Sequence, residues 1–160
     1  MSITIEDYIL PKTIPTASTE LLILPWNTSQ ETKTHGKAVY PESASTILKL
    51  LREKSIGIEL AEGCISDVML EDRRSLEWLG PIIFFSMDAI SQNTAIVSVT
   101  LNIISNYLSN VLFGDSVSRC EPVAKLEIVI QDKDSTKKAK YDGPISGLSE
   151  FAKAIEAIKE

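Results

Sequence analysis

Across residues 79–114 the chain carries one charged side chain, Asp88. About a quarter of an average soluble protein is charged, so roughly nine charges would fall in a stretch of this length by chance. A segment this poor in charge has to be withdrawn from water, and the rest of the chain has to do the withdrawing.

The stretch reads as a pair of helices. Pro81-Ile-Ile-Phe-Phe-Ser-Met-Asp-Ala-Ile90 is apolar all round, the pattern of a buried helix. Pro81 suits a first helical turn, where its missing N–H costs nothing. A helix beginning further back, near Ser75, would be kinked at Gly80-Pro81. Asn93-Thr94 offers cap chemistry for a second helix over 95–113, and Gly114 is placed to end it. At about 100° per residue, Val97, Leu101, Ile104, Leu108, Val111 and Leu112 of that helix form one stripe, with Ile96, Ile103 and Tyr107 beside it. Opposite lie Ser98, Asn102, Ser105, Asn106, Ser109 and Asn110.

A helix face that meets water is normally written in Lys, Glu and Arg. Ser and Asn are poor interior helix formers, because their side chains compete for the backbone. A face of small uncharged polar groups therefore predicts close contact with something other than bulk water. Three environments satisfy that. The face can lie under another part of the monomer. It can form a protein–protein interface, in which case Ser98, Asn102, Ser105, Asn106, Ser109 and Asn110, with the flanking Ile96, Ile103 and Tyr107, are the contact residues. It can enter a membrane, which requires about 20 mostly apolar residues. Seven of the nineteen residues in 95–113 are Ser, Thr or Asn, and no aromatic and basic belts flank both ends, so a membrane fits least well.

The remaining chain supplies ordinary α/β material. Its 160 residues make one domain by the usual size of domains, and 44% hydrophobic content is enough for a core. Residues 3–5 form a short strand. Leu21-Leu-Ile-Leu24, stopped by Pro25, reads as a buried one. After a polar loop over 27–37, Pro41-Glu-Ser-Ala-Ser announces a helix with Ala44, Ile47, Leu48 and Leu51 on one face, running out at Lys54-Ser55. Ile56-Gly-Ile-Glu-Leu60 is again a strand, so residues 1–62 outline a βαβ-like unit with parallel strands. The charge run Glu71-Asp72-Arg73-Arg74 marks a boundary as a solvated linker or a docking patch. Residues 75–114 are the helical hairpin. In residues 122–160, Leu126, Ile128 and Ile130 alternate with polar neighbours, Asp132-Lys-Asp-Ser135 supplies a turn, and Thr136 onward returns as the second strand. Asp142-Gly143-Pro144 then breaks the chain before a helix with Leu148, Phe151, Ala152, Ile155 and Ile158 on one stripe. The fold class is α+β (or α/β): a βαβ-like unit, an apolar helical hairpin, and a β-hairpin followed by an amphipathic helix.

The chemistry-bearing inventory is thin. Net charge is −6 and no segment is basic, which argues against nucleic acid as the main partner. The start of the chain has neither a positive n-region nor an apolar h-region, so it is not a signal peptide. Two cysteines, Cys64 and Cys120, make no disulfide framework and fit a reducing cytoplasm. A cysteine hydrolase would need one of them beside His35, the only histidine, and a third group to orient the ring. Zinc spacing is absent. Asp132-x-Asp134 starts a calcium-loop pattern that nothing downstream completes. Lys137, Lys138 and Lys140 form a basic strip on an expected edge strand, suited to blocking edge pairing or meeting an acidic partner. Trp26 and Trp78 read as core or boundary anchors rather than stacking platforms. Asp88 is either exposed or paired with Arg73 or Arg74. No catalytic, metal or cofactor site is predicted.

A Ser/Asn-spotted apolar helix, a polar break, and a hairpin ending Tyr141-Asp-Gly-Pro-Ile-Ser-Gly-Leu148 before a short amphipathic helix resemble certain small accessory proteins. These are the effector-associated components of bacterial conflict and antiphage systems. The likeness covers residues 76–160 and carries no invariant catalytic motif; residues 1–70 have no counterpart in it. It implies a non-enzymatic adaptor or scaffold paired with a separate effector. The expectation is a cytoplasmic accessory protein that assembles with another protein or with itself. The alternatives are a membrane-acting effector that inserts its hairpin and a cysteine-dependent hydrolase.

Overall fold

The computed structural model describes residues 2–9, 21–25, 39–61, 69–71, 77–113, 123–131 and 135–158. Eight strands and four helices follow in order: β1 (Ser2–Asp7), β2 (Leu21–Leu24), β3 (Val39–Pro41), α1 (Ser43–Glu53), β4 (Ile58–Leu60), β5 (Met69–Glu71), β6 (Glu77–Phe85), α2 (Met87–Gln92), α3 (Ile96–Phe113), β7 (Val123–Gln131), β8 (Thr136–Pro144) and α4 (Leu148–Ile158), all among the described residues. A 3₁₀ turn, Ile145–Gly147, joins β8 to α4.

Six strands form one mixed sheet in the order β1-β8-β7-β6-β2-β4, and β3 and β5 pair in parallel as a separate two-stranded sheet. The α+β class holds. The parallel pairing of β2 with β4 around α1 is the expected βαβ-like unit. β7 and β8 are the expected antiparallel hairpin, although β8 continues through Asp142, Gly143 and Pro144 where a break was expected. The parallel pairing of β6 with β7 joins the two parts into one sheet.

The expected helical hairpin needs correction in its first half. Two helices do lie within 75–114, but the first begins at Met87, and residues 81–85 are the end of strand β6. The reason is burial on both sides. Ile83 and Phe85 face the main core with Leu21 and Ile23 of β2 and Ile128 and Ile130 of β7. Ile82 and Phe84 face a smaller cluster on the other side, with Leu22, Leu24 and Val129. A central strand covered on both faces has no polar positions, so it reads as an unbroken apolar run. Gly80-Pro81 is not a helix start but a bulge: β6 advances from Leu79 to Ile82 while β7 advances only from Lys125 to Glu127. Proline is tolerated at such a point because the ladder is already interrupted there. Gly80 is required by space. A Cβ on it would lie 2.5 Å from Cζ3 of Trp78 and 2.7 Å from Cδ1 of Leu126. The Ser43 hydroxyl donates to the carbonyl of Leu79 at 2.6 Å, tying the start of α1 to this bulge.

Among the described residues, all four helices contribute to the one main core, which lies over a single face of the sheet. α1 buries Ala44, Ile47, Leu48 and Leu51 as its spacing predicts. It ends in a left-handed residue, Ser55, at φ 63°. The Ser55 N–H bonds the carbonyl of Arg52 and the Ile56 N–H that of Leu51, both at 3.0 Å, which satisfies the last turn. α4 buries Leu148, Phe151 and Ile155, and the Phe151 ring lies 5.2 Å from that of Tyr141 on β8. The Tyr141 hydroxyl donates to the carbonyl of Pro144. α2 starts at Ser86, whose buried hydroxyl accepts from the Ala89 N–H at 3.1 Å.

The expected edge position of β8 is also corrected. β1 pairs along its outer side, from Ser2 against Asp142 to Asp7 against Lys137. The basic strip is therefore answered within the chain. Lys137 reaches Asp7 at 2.8 Å, Lys140 reaches Glu6 at 3.2 Å, and Lys138 reaches Glu127 at 3.3 Å. Lys138 also sits 5.3 Å above the ring of Tyr8. Hydrogen bonding and charge from Lys137 hold the Asp7 carboxyl below its ordinary range.

A candidate protein-contact groove between two helices

α3 divides as its periodicity predicts on one side. Val97, Leu101, Ile104 and Leu108 are buried in the main core. Thr100 is buried with them, and its hydroxyl finds no hydrogen-bond partner among the described residues. The side chains of Val111 and Leu112, placed on the same stripe by their spacing, lie outside the described residues.

The nine candidate contact residues fall into two groups. The three apolar ones pack against the core on one side. Ile96 belongs to the main core, and Ile103 and Tyr107 are half-buried against it. They lie next to the stripe on the helix wheel, so the core is wider than a single stripe and absorbs them. The six polar ones remain outside. Asn102, Asn106 and Asn110 are exposed, and Ser98, Ser105 and Ser109 are half-buried.

Three of the six come together at a groove that the spacing of α3 alone does not reveal. Ser98, Asn102 and Ser105 form one wall, and Ala152, Lys153 and Glu156 of α4 are among the residues of the other. The groove encloses about 500 Å³ and is open to solvent along its length. Its ends are set by packing: α4 is held to the sheet through Phe151 and Ile155, and α3 through Leu101 and Leu108, which fixes the gap between their outer faces. The Ser98 hydroxyl donates to Oε1 of Glu156 at 3.1 Å and bridges the two helices. Lys153 reaches Glu150 at 3.6 Å, one turn back along α4. The groove therefore has an uncharged wall on α3 and a wall of both signs on α4. Its side chains can give and accept hydrogen bonds.

Sequence reasoning found the α3 wall but missed Lys153 and Glu156. They recur on the outward side of α4 opposite Phe151 and Ile155, which marks them as surface residues, and only the tertiary packing sets them against α3.

The other candidates resolve unevenly. Asp88 is exposed in the first turn of α2, where a negative charge suits the helix dipole. Trp78 is half-buried against the main core. His35, Cys64, Cys120, Trp26, Arg73, Arg74, Asp132 and Asp134 lie outside the described residues. Among the described residues, no three or more His, Cys, Asp or Glu side chains are grouped to hold a metal ion. No described helix is long and apolar enough to cross a membrane. The hairpin offered for insertion has its first half, residues 81–85, inside the sheet.

No family model matches this chain, and comparison with curated proteins and with solved structures yields no match.

Proposed function

We propose that the chain is a non-catalytic accessory protein that acts by binding a protein partner through the outer side of α3 and its groove with α4. One observation carries this reading. α3 commits Val97, Leu101, Ile104 and Leu108 to the core, yet presents Asn102, Asn106 and Asn110 to the outside with no charge among them. Moving amides and hydroxyls out of water costs far less than moving ammonium or carboxylate groups, provided each finds a hydrogen bond. Small side chains also let a partner backbone approach closely. The likeness of residues 76–160 to accessory components of bacterial defence systems supports the same reading, with a separate effector as the partner.

The test is site-specific photo-crosslinking in the native host. A crosslinking residue in place of Asn106 is expected to give one discrete adduct, and one in place of the exposed Glu59 of β4 none. Ser105→Glu, which sets a charge in the wall, should abolish the adduct while leaving the melting temperature unchanged. An adduct at neither position, or one indifferent to Ser105→Glu, overturns the reading.

A further inference from the structure

A second surface stands apart from the groove. The six-stranded sheet ends in β1 on one side and β4 on the other. β4 has three residues, and so short an edge protects itself. β1 has six and carries no proline, lysine or bulge along its ladder with β8. Its two acids are already answered by Lys137 and Lys140, so they leave little free charge to repel a neighbour.

The pairing fixes which backbone groups point outward. The Tyr8 N–H bonds the carbonyl of Thr136 at 2.8 Å. Hydrogen-bonded and non-bonded positions alternate along an antiparallel ladder. Ser2, Thr4 and Glu6 therefore turn their N–H and C=O groups toward β8, and Ile3, Ile5 and Asp7 turn theirs to the outer edge, where no described strand pairs. Ile3 and Ile5 also share the helix-covered face with their partners Tyr141 and Ala139. Ile3 is half-buried against the main core, but Ile5 is left 44% exposed beside it.

From this we infer that β1 is the contact between two copies of this chain, which join antiparallel into one continuous sheet. The strand is self-complementary about Thr4. With Thr4 opposite its own copy, Ile3 of each chain bonds Ile5 of the other through the outward backbone groups. The same pairing lays Ile3 against the exposed side of Ile5 on the helix-covered face. Ser2 then faces Glu6. A register centred on Ile5 sets Asp7 against Ile3, and registers centred on Glu6 or Asp7 put like charges directly opposite, which is unfavourable. The surface is separate from the α3–α4 groove, so either can fail without the other.

Light scattering is expected to give twice the chain mass for the wild type. Ile5→Pro removes an outward N–H and none that β8 uses, so it should return the monomer with its circular dichroism unchanged; Ile5→Lys should do the same. Thr4→Cys, with Cys64→Ala and Cys120→Ala, should form a disulfide-linked dimer under mild oxidation. A non-hydrogen-bonded pair sets the Cα atoms about 4.5 Å apart, within disulfide reach. Glu59→Cys in the same background should not. A wild type that stays monomeric at its highest soluble concentration overturns the inference, as does a Thr4→Cys chain that does not cross-link. A dimer lost on Ser105→Glu but kept in Ile5→Pro also overturns it and assigns self-association to the groove.

Discussion

Residues 82–85 and α3 come from the same charge-poor stretch and meet in the same core, yet one is extended and the other helical. The difference lies in how many sides are covered. Ile82, Ile83, Phe84 and Phe85 are covered on both faces of the sheet, and β-branched and aromatic residues fit that pleated setting. α3 is covered on one side, and its outward side carries Ser and Asn at helical spacing around one exposed valine, Val99. Low charge tells where a segment goes. The period of its polar residues tells what shape it takes, and where there are none the shape is open.

The comparison breaks most visibly in the strand. Phe84→Ala empties a fully buried site on the second face and should cost about 3–5 kcal/mol, read from urea unfolding. Gly80→Ala drives a methyl into the Trp78 ring and Leu126 and should cost about 1–3 kcal/mol, part of which Trp78→Leu in the same chain should restore. Between the two regions, Ser86→Ala removes the cap that ends extended structure and starts α2; a loss of about 1 kcal/mol is expected. Thr100→Val should move stability the other way by about 1 kcal/mol, because it deletes a buried hydroxyl with no partner among the described residues. On the open side of α3, Asn106→Ala should change stability by less than about 0.5 kcal/mol. A larger loss there would mean that the face supports the monomer.

The elements that were legible were those with a wet side. α1 and α4 alternate charge with aliphatic residues at helical spacing, and β7 alternates at strand spacing with Lys125 and Glu127 outward. β6 was not legible because burial on both faces erased its period, although Ser86-Met-Asp-Ala already carries a cap and an acidic first turn at the true helix start. β3 and β5, three residues each, were too short to register. The place of β8 inside the sheet depends on β1, more than 120 residues earlier in the chain. The α3 side of the groove could be read from Ser and Asn spacing. The α4 side could not, since Ser98 and Glu156 are neighbours only after folding.

The pairing of β1 with β8 has a consequence for biogenesis. β1 leaves the ribosome well before β8, the strand it pairs with, which lies 130 or more residues further along the chain. Until β8 emerges, β1 lacks the neighbour it pairs with in the fold. Non-local pairing of this kind closes late, and late closure invites exchange between neighbours. A first strand that docks onto the hairpin of another molecule would produce an intertwined dimer, so slowing the release of the C-terminal third of the chain should increase such exchange.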